Sequence, residues 1–184
     1  MKQRGSGEVN VDGTFFSFPR DWAVAVFDEW PQYRKAAGGV GLKGVDVVAL
    51  HERDLWLIEM KDYTYPDAQQ PQELPVILGQ KAAGTMALLY SLERAKADSE
   101  AKEFAVRCRA AKAIHLALHI EVKDAGRKEK QIHGLLSPLT DEIRKVGKTI
   151  GLSKTWVTST LAPNPHTPWR ARRDPERRAR HVDR

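Results

Sequence analysis

The chain has 184 residues, 41% hydrophobic and 29% charged, which suits one compact domain and argues against wholesale disorder. Its longest fully apolar run, Trp22 to Phe27, is far short of the ~20 residues that a membrane helix needs. The lone Cys108 excludes a disulfide framework or a cysteine cage for zinc, and Met1 to Gly7 opens onto no apolar signal core. A cytoplasmic protein without membrane contact is expected.

Pro19 to Lys35 reads as a first helix, with Pro19 in its opening turn and Trp22, Val26 and Glu29 at helical spacing. Gly38-Gly39 ends it. Val45 to Leu50 and Leu55 to Lys61 are β-rich runs across the polar turn His51-Glu52-Arg53-Asp54, which predicts an antiparallel hairpin. Tyr63 to Pro75 contains three prolines and reads as a loop. Leu78 to Ala97 and Ser99 to Lys112 are expected helices, and Ala113 to Val122 a third strand. Asp124 to Lys130 reads as an exposed loop, and Thr140 to Ile150 as a helix with Asp141 and Glu142 in its favourable first turn. Lys154 to Leu161 has two readings. It is either the second helix of a helix-turn-helix, after a turn at Gly151, or a final strand rich in β-branched residues.

From Arg170 onward there are seven arginines against three acids, so this end carries +4 of the net charge of +6. Such a run suits a phosphate backbone, since each guanidinium can grip two oxygens, and it equally suits a solvated terminus. The expected organisation is a leader over 1–18, an α/β domain over 19–162 and a Pro/Arg-rich tail over 163–184.

Asp46 and the stretch Ile58-Glu59-Met60-Lys61-Asp62 carry the chemistry. Alternation along a strand puts Glu59 and Lys61 on one face and Ile58 and Met60 on the other. The hairpin brings Asp46, at the start of its strand, beside them. Charges converging on strands that otherwise look buried are costly unless they pair or hold a cation. Two carboxylates at hairpin distance make a hard-oxygen site of the kind that Mg²⁺ prefers, with Mn²⁺ as an alternative. A neighbouring lysine can orient or deprotonate a bound water, or stabilise charge developing on phosphorus.

Asp46 followed thirteen residues later by Glu59-Met60-Lys61 resembles the motif of the PD-(D/E)XK nuclease superfamily, and the order of elements over Pro19 to Val122 is similar to that of its core. The resemblance implies a restriction-endonuclease-like α/β fold, a central mixed sheet flanked by helices, and Mg²⁺-dependent hydrolysis of nucleic acid, with DNA the expected partner. It implies Asp46 and Glu59 as catalytic metal ligands, the Met60 carbonyl as a further ligand, Lys61 as catalytic lysine and Glu29 as an added carboxylate from the first helix. Gln80 and Lys81 match positions that touch nucleic acid or the site, and Lys43, Arg170, Arg172 and Arg173 are expected to hold the backbone. Val45 stands where the motif has Pro, and Gly84 stands four residues after Gln80, where one branch has Tyr. A larger assembly or a homodimer suits the nearly neutral body. The rival readings are a DNA-binding regulator using 140–161 as a helix-turn-helix, and an inactive module on the same fold.

His115, His119 and Glu121 alternate onto one face of the third strand, where a zinc site is conceivable but ordinary strand residues are the simpler reading. Trp22 and Trp56 read as core, Trp156 and Trp169 as packing residues, and Cys108 as inert.

Overall fold

Val47 to Leu50 and Leu55 to Met60 are apolar on both alternating faces, the pattern of strands covered on both sides. In the computed structural model, which describes residues 7–64, 73–96, 99–123, 126 and 128–174, these strands lie within a five-stranded mixed sheet. Its order is β3 (Ala23–Val26), β4 (Val47–His51), β5 (Asp54–Asp62), β6 (Ala113–Glu121) and β7 (Lys154–Thr158). The middle strand of the first three, β4, pairs antiparallel with both β3 and β5, whereas β6 and β7 continue parallel to β5. Among the described residues no helix is long and apolar enough to cross a membrane.

One face of this sheet is covered by α2 (Leu74–Glu93), α3 (Glu100–Arg109) and α4 (Glu129–Thr149). Leu78, Ala82, Leu89, Phe104, Ile132 and Ile143 from these helices close over Leu55, Leu57, Leu116 and Leu118. The other face is covered by a three-stranded antiparallel sheet of β1 (Glu8–Val11), β2 (Thr14–Ser17) and β8 (Arg170–Arg173). Phe16, Phe18 and Trp169 there meet Trp56, Ile58, Met60 and Ala117. The residues expected as a leader and a tail thus pair with each other, Thr14 opposite Arg173 and Ser17 opposite Arg170. Arg177, Arg178, Arg180 and Arg184 lie outside the described residues.

Three expectations are corrected. The helix over 19–35 is replaced by β3, a 3-10 turn at Phe27–Glu29, and α1 (Pro31–Val40). Pro31 occupies the first turn of α1, and the preceding Trp30 is held extended at φ −70°, ψ 130°, as a residue before proline prefers. Pro31 and not Pro19 starts the helix, and the β-branched alternation Ala-Val-Ala-Val before it pairs with β4. Second, α4 begins at Glu129 and carries Pro138 in its interior, so the helix extends well before Thr140. Third, Lys154 to Thr158 is a strand beside β6, so 140–161 contains no helix-turn-helix. Thr155, Val157 and Thr158 are stiff at Cβ and pack better on a pleated surface than in a helix. The hairpin forms as the turn residues imply, with His51 opposite Asp54 and Glu52 at φ 48°. Ser99 caps α3 by accepting the Lys102 amide at 3.2 Å.

Phe16 is wholly buried between the two sheets. Phe16→Ala is expected to cost about 3–5 kcal/mol in urea unfolding. A loss under about 1 kcal/mol in that assay would mean that the small sheet does not share the core.

Candidate functional site

Asp46 directly precedes β4, and Glu59 and Lys61 lie near the carboxyl end of β5 on the face that α2 covers. Asp46 accepts the Met60 amide on Oδ2 at 2.7 Å, across the edge where β4 and β5 part. In an extended strand a residue's N–H and C=O point to the same side, so the Met60 carbonyl shares that edge with Asp46. The Met60 side chain is buried in the opposite layer, with Ile58.

Glu59 is 1% exposed. Its Oε1 receives two ammonium groups, Lys61 Nζ at 2.6 Å and Lys81 Nζ, from α2, at 2.5 Å. Lys81 also stands 3.8 Å from Asp46 Oδ1, an ion pair but too long for a hydrogen bond. Glu59 Oε2 is buried and has no hydrogen-bond partner among the described residues.

Burial raises the Asp46 pKa, and the Glu59 charge raises it further. Lys81, the Met60 amide and Lys61 offset this only in part, leaving the carboxyl at about 7. Burial works against the Lys61 ammonium, yet the carboxylates of Glu59 and Asp46 outweigh it and hold its pKa above the ordinary lysine value. Lys61 is therefore a cation at neutral pH and a donor to acceptor oxygens.

The segment that delivers Asp46 is clamped from two sides. Thr85 of α2, fully buried, accepts the Val45 amide at 3.0 Å and donates to the Lys81 carbonyl at 2.9 Å. One residue earlier, a Cβ on Gly84 would collide with the Lys43 carbonyl, so this close approach requires glycine. From the other side the Gly44 amide donates to the Tyr33 hydroxyl at 3.1 Å. Sequence reasoning missed Thr85 and took Gly84 only as a departure from a motif. The available signal was a small residue followed by a hydroxyl, one turn after Lys81 on an otherwise apolar helix.

The structure therefore brings Asp46, Glu59, Lys61 and Lys81 together. Glu29 is not among them: it is exposed in the 3-10 turn, with no hydrogen bond or ion pair to this group among the described residues. Its displacement follows from the loss of the expected first helix. Gln80 and Lys43 are exposed. Arg172 pairs with Glu8 at 3.0 Å and lies 4.0 Å over the Phe15 ring, while Arg173 reaches Thr64 at 2.7 Å and Asp62 at 3.4 Å. These two arginines serve the small sheet and its junction with β5, and Arg170 is exposed.

His119, Glu121 and His115 share the opposite face. His119 Nε2 lies 2.8 Å from Glu121 Oε1, which also accepts the Thr160 hydroxyl, whereas His115 stacks near Trp56 and faces Asp54 at 3.7 Å. Among the described residues no three His, Cys, Asp or Glu side chains form a metal-holding group. A cation at Asp46 and Glu59 would thus have two carboxylates, with the Met60 carbonyl as the available third oxygen. The donor set is all oxygen and suits a hard cation, and the orphaned Glu59 Oε2 is the kind of buried acceptor that such an ion satisfies.

Comparison with known proteins adds one relative. The cysteine–tRNA ligase of Neisseria meningitidis serogroup A / serotype 4A (strain DSM 15465 / Z2491) is 32% identical over 139 residues, a match covering 58% of this chain. The chain spans about a fifth of that protein's length. No family model and no solved structure matches. The expectation of an Mg²⁺-dependent nuclease is corrected by this match, because the relative is a ligase and not a hydrolytic nuclease.

Two variants test the electrostatics and the clamp. With a folded pKa near 7 and an unfolded one near ~4, Asp46 binds protons more readily in the folded protein across that interval. Its contribution to stability is therefore lost progressively as pH rises from ~4 to ~7. In EDTA, Asp46→Asn is expected to raise the melting temperature at pH 8, with the gain fading towards pH 5. A gain that does not vary with pH would contradict the shift. Thr85→Val, which strands the Val45 amide, should cost about 1–3 kcal/mol in urea unfolding, and Thr85→Ser should recover most of it.

Proposed function

We propose that this chain is a nucleic-acid-binding module in which Asp46 and Glu59 hold a divalent cation, Mg²⁺ or Mn²⁺, against phosphate oxygens. Lys61 and Lys81 supply ammonium donors on either side of it. The fold that accompanies this reading is a restriction-endonuclease-like core of the PD-(D/E)XK superfamily. Its support is the order hairpin, long helix and parallel strand, with Asp46 immediately before β4 and Glu59-Met60-Lys61 on the adjacent strand β5.

The observation that carries the proposal is the unpartnered Glu59 Oε2 beside an Asp46 whose pKa is pushed up to about 7. Both lysines crowd onto one oxygen of Glu59, so Oε2 is left without a hydrogen-bond donor among the described residues beside the second acid, Asp46. A divalent ion when bound supplies positive charge at those oxygens and a coordination position for an anionic oxygen. Glu59 and Asp46 would position it, and the Met60 carbonyl would face it. Lys61, kept charged, would donate to a phosphate oxygen, and the exposed Lys43 and Arg170 would extend the contact by counterion release.

Nucleic acid is favoured over a small phosphate ester because basic side chains, Lys43 and Arg170 among them, lie exposed on elements flanking the sheet. The relative's name adds tRNA to the polyanions worth presenting.

The test is fluorescence anisotropy with labelled duplex DNA and with labelled tRNA, each in Mg²⁺ and in EDTA, with strand integrity followed on denaturing gels. Binding of at least one probe is expected to tighten about tenfold in Mg²⁺, and Glu59→Gln is expected to abolish that gain. Equal binding in Mg²⁺ and EDTA, or shortened strands, would overturn the proposal.

A further inference from the structure

We propose that Lys81 is an exchangeable counter-ion: it closes the site by holding Glu59, and it is released to a phosphodiester oxygen when a divalent cation takes the carboxylates. This rests on the cation-binding reading above and adds a rule for how the two ligands depend on each other.

The charges are matched. Asp46 and Glu59 contribute two negative charges when ionised, and Lys61 and Lys81 contribute two positive ones, so a divalent ion brings the charge that the pair of lysines now supplies. Both cannot be accommodated against one buried carboxylate without strong like-charge repulsion, because the site's interior screens poorly.

The two lysines differ in what they can do. Lys61 sits two residues from Glu59 on the same strand and face, so it remains a neighbour whatever else binds. Lys81 comes from α2, across the layer, and among the described residues it is the one cation within 4 Å of both acids, at 2.5 Å from Glu59 and 3.8 Å from Asp46. It therefore competes directly with any ion bridging them. Its side chain is 19% exposed, and displacement by rotation of its four-carbon stem leaves α2 in place, since Thr85 and Gly84 hold the helix there independently.

A displaced ammonium in a part-buried setting is itself unfavourable without an anion. A phosphodiester at the mouth of the site supplies one. The cation thereby raises affinity for phosphate, and phosphate must raise affinity for the cation by the same factor.

The rule gives opposite signs for a single substitution. Lys81→Met removes the competitor, so Mn²⁺ uptake without nucleic acid, followed by electron paramagnetic resonance, is expected to tighten about five- to tenfold. The same variant lacks the released donor, so the Mg²⁺-dependent gain in duplex DNA or tRNA affinity is expected to shrink by a comparable factor. Lys81→Gln, which keeps a polar end group, should show the same pair of effects and guards against a packing fault in the methionine variant. Melting curves establish that each variant is folded. A Lys81 that merely braces the fold would weaken both measurements together.

If the unsubstituted protein takes up no Mn²⁺, the cation site itself fails, and this proposal with it. If it binds Mn²⁺ while both variants bind no more tightly, or while the Mg²⁺-dependent gain survives in them undiminished, the exchange is refuted and the cation site stands.

Discussion

A carboxylate removed from water in the middle of a sheet must be compensated nearby, and Glu59 sets this requirement for everything around it. Its only described hydrogen-bonding partners are two ammonium groups on a single oxygen. One of them belongs to a helix, so the position of α2 over β5 is constrained by charge as well as by Leu78 and Ala82. Gly84 and Thr85 then fix the other side of the same arrangement: the helix approaches the Lys43 carbonyl closely enough to exclude a side chain, and it caps the Val45 amide. Asp46 is thereby held against Glu59 although the two repel. The cluster is a set of mutual constraints, in which moving α2 outward would remove Lys81 from Glu59 and the Thr85 hydroxyl from the Val45 amide.

The same sheet has a second buried charge arrangement on its opposite face, and the contrast is informative. His119 and Glu121 meet at 2.8 Å, and Thr160 donates to the same carboxylate oxygen. Thr160 lies in the tight connection where Ser159 and Ala162 bridge, just after the chain leaves β7 on its way to β8. This pair therefore anchors the crossing from the large sheet to the small one. It has one acid where the other cluster has two, and it faces Phe16 and the aromatic interlayer. Buried charge alone does not distinguish a site from a brace; the surplus of like charge near Asp46 does.

Much of this cluster could be read from the chain because its logic is local. Period-two alternation fixes which face of β5 carries Glu59 and Lys61, and a polar four-residue interval between two β-rich runs fixes the hairpin that brings Asp46 alongside. Lys81 could be placed near the site but not paired, since its reach depends on how far α2 is shifted along its axis, which packing decides. Glu29 was misplaced for a local reason: the stripe Trp22–Val26–Glu29 satisfies helical spacing, whereas the residues between alternate as a strand, and Pro31 disfavours a helical Trp30. The pairing of β2 with β8 was illegible in principle, because strands from opposite ends of the chain are joined by no turn signal. The arginine richness of Arg170 to Arg173 pointed outward to a phosphate backbone, yet two of those side chains are spent on Glu8, Asp62 and Thr64.

That expenditure alters where binding energy for a polyanion can come from. With Arg172 and Arg173 engaged, the other exposed lysines and arginines act only through surface attraction, which is weak and screened by salt. The concentrated resource is the lysine pair at Glu59, where charge is already desolvated and already positioned. A protein organised in this way gains little from long-range attraction and much from rearranging a preformed ionic cluster. The raised Asp46 carboxyl fits that view, for a like-charge pair kept against stability is worth retaining only where something else completes it.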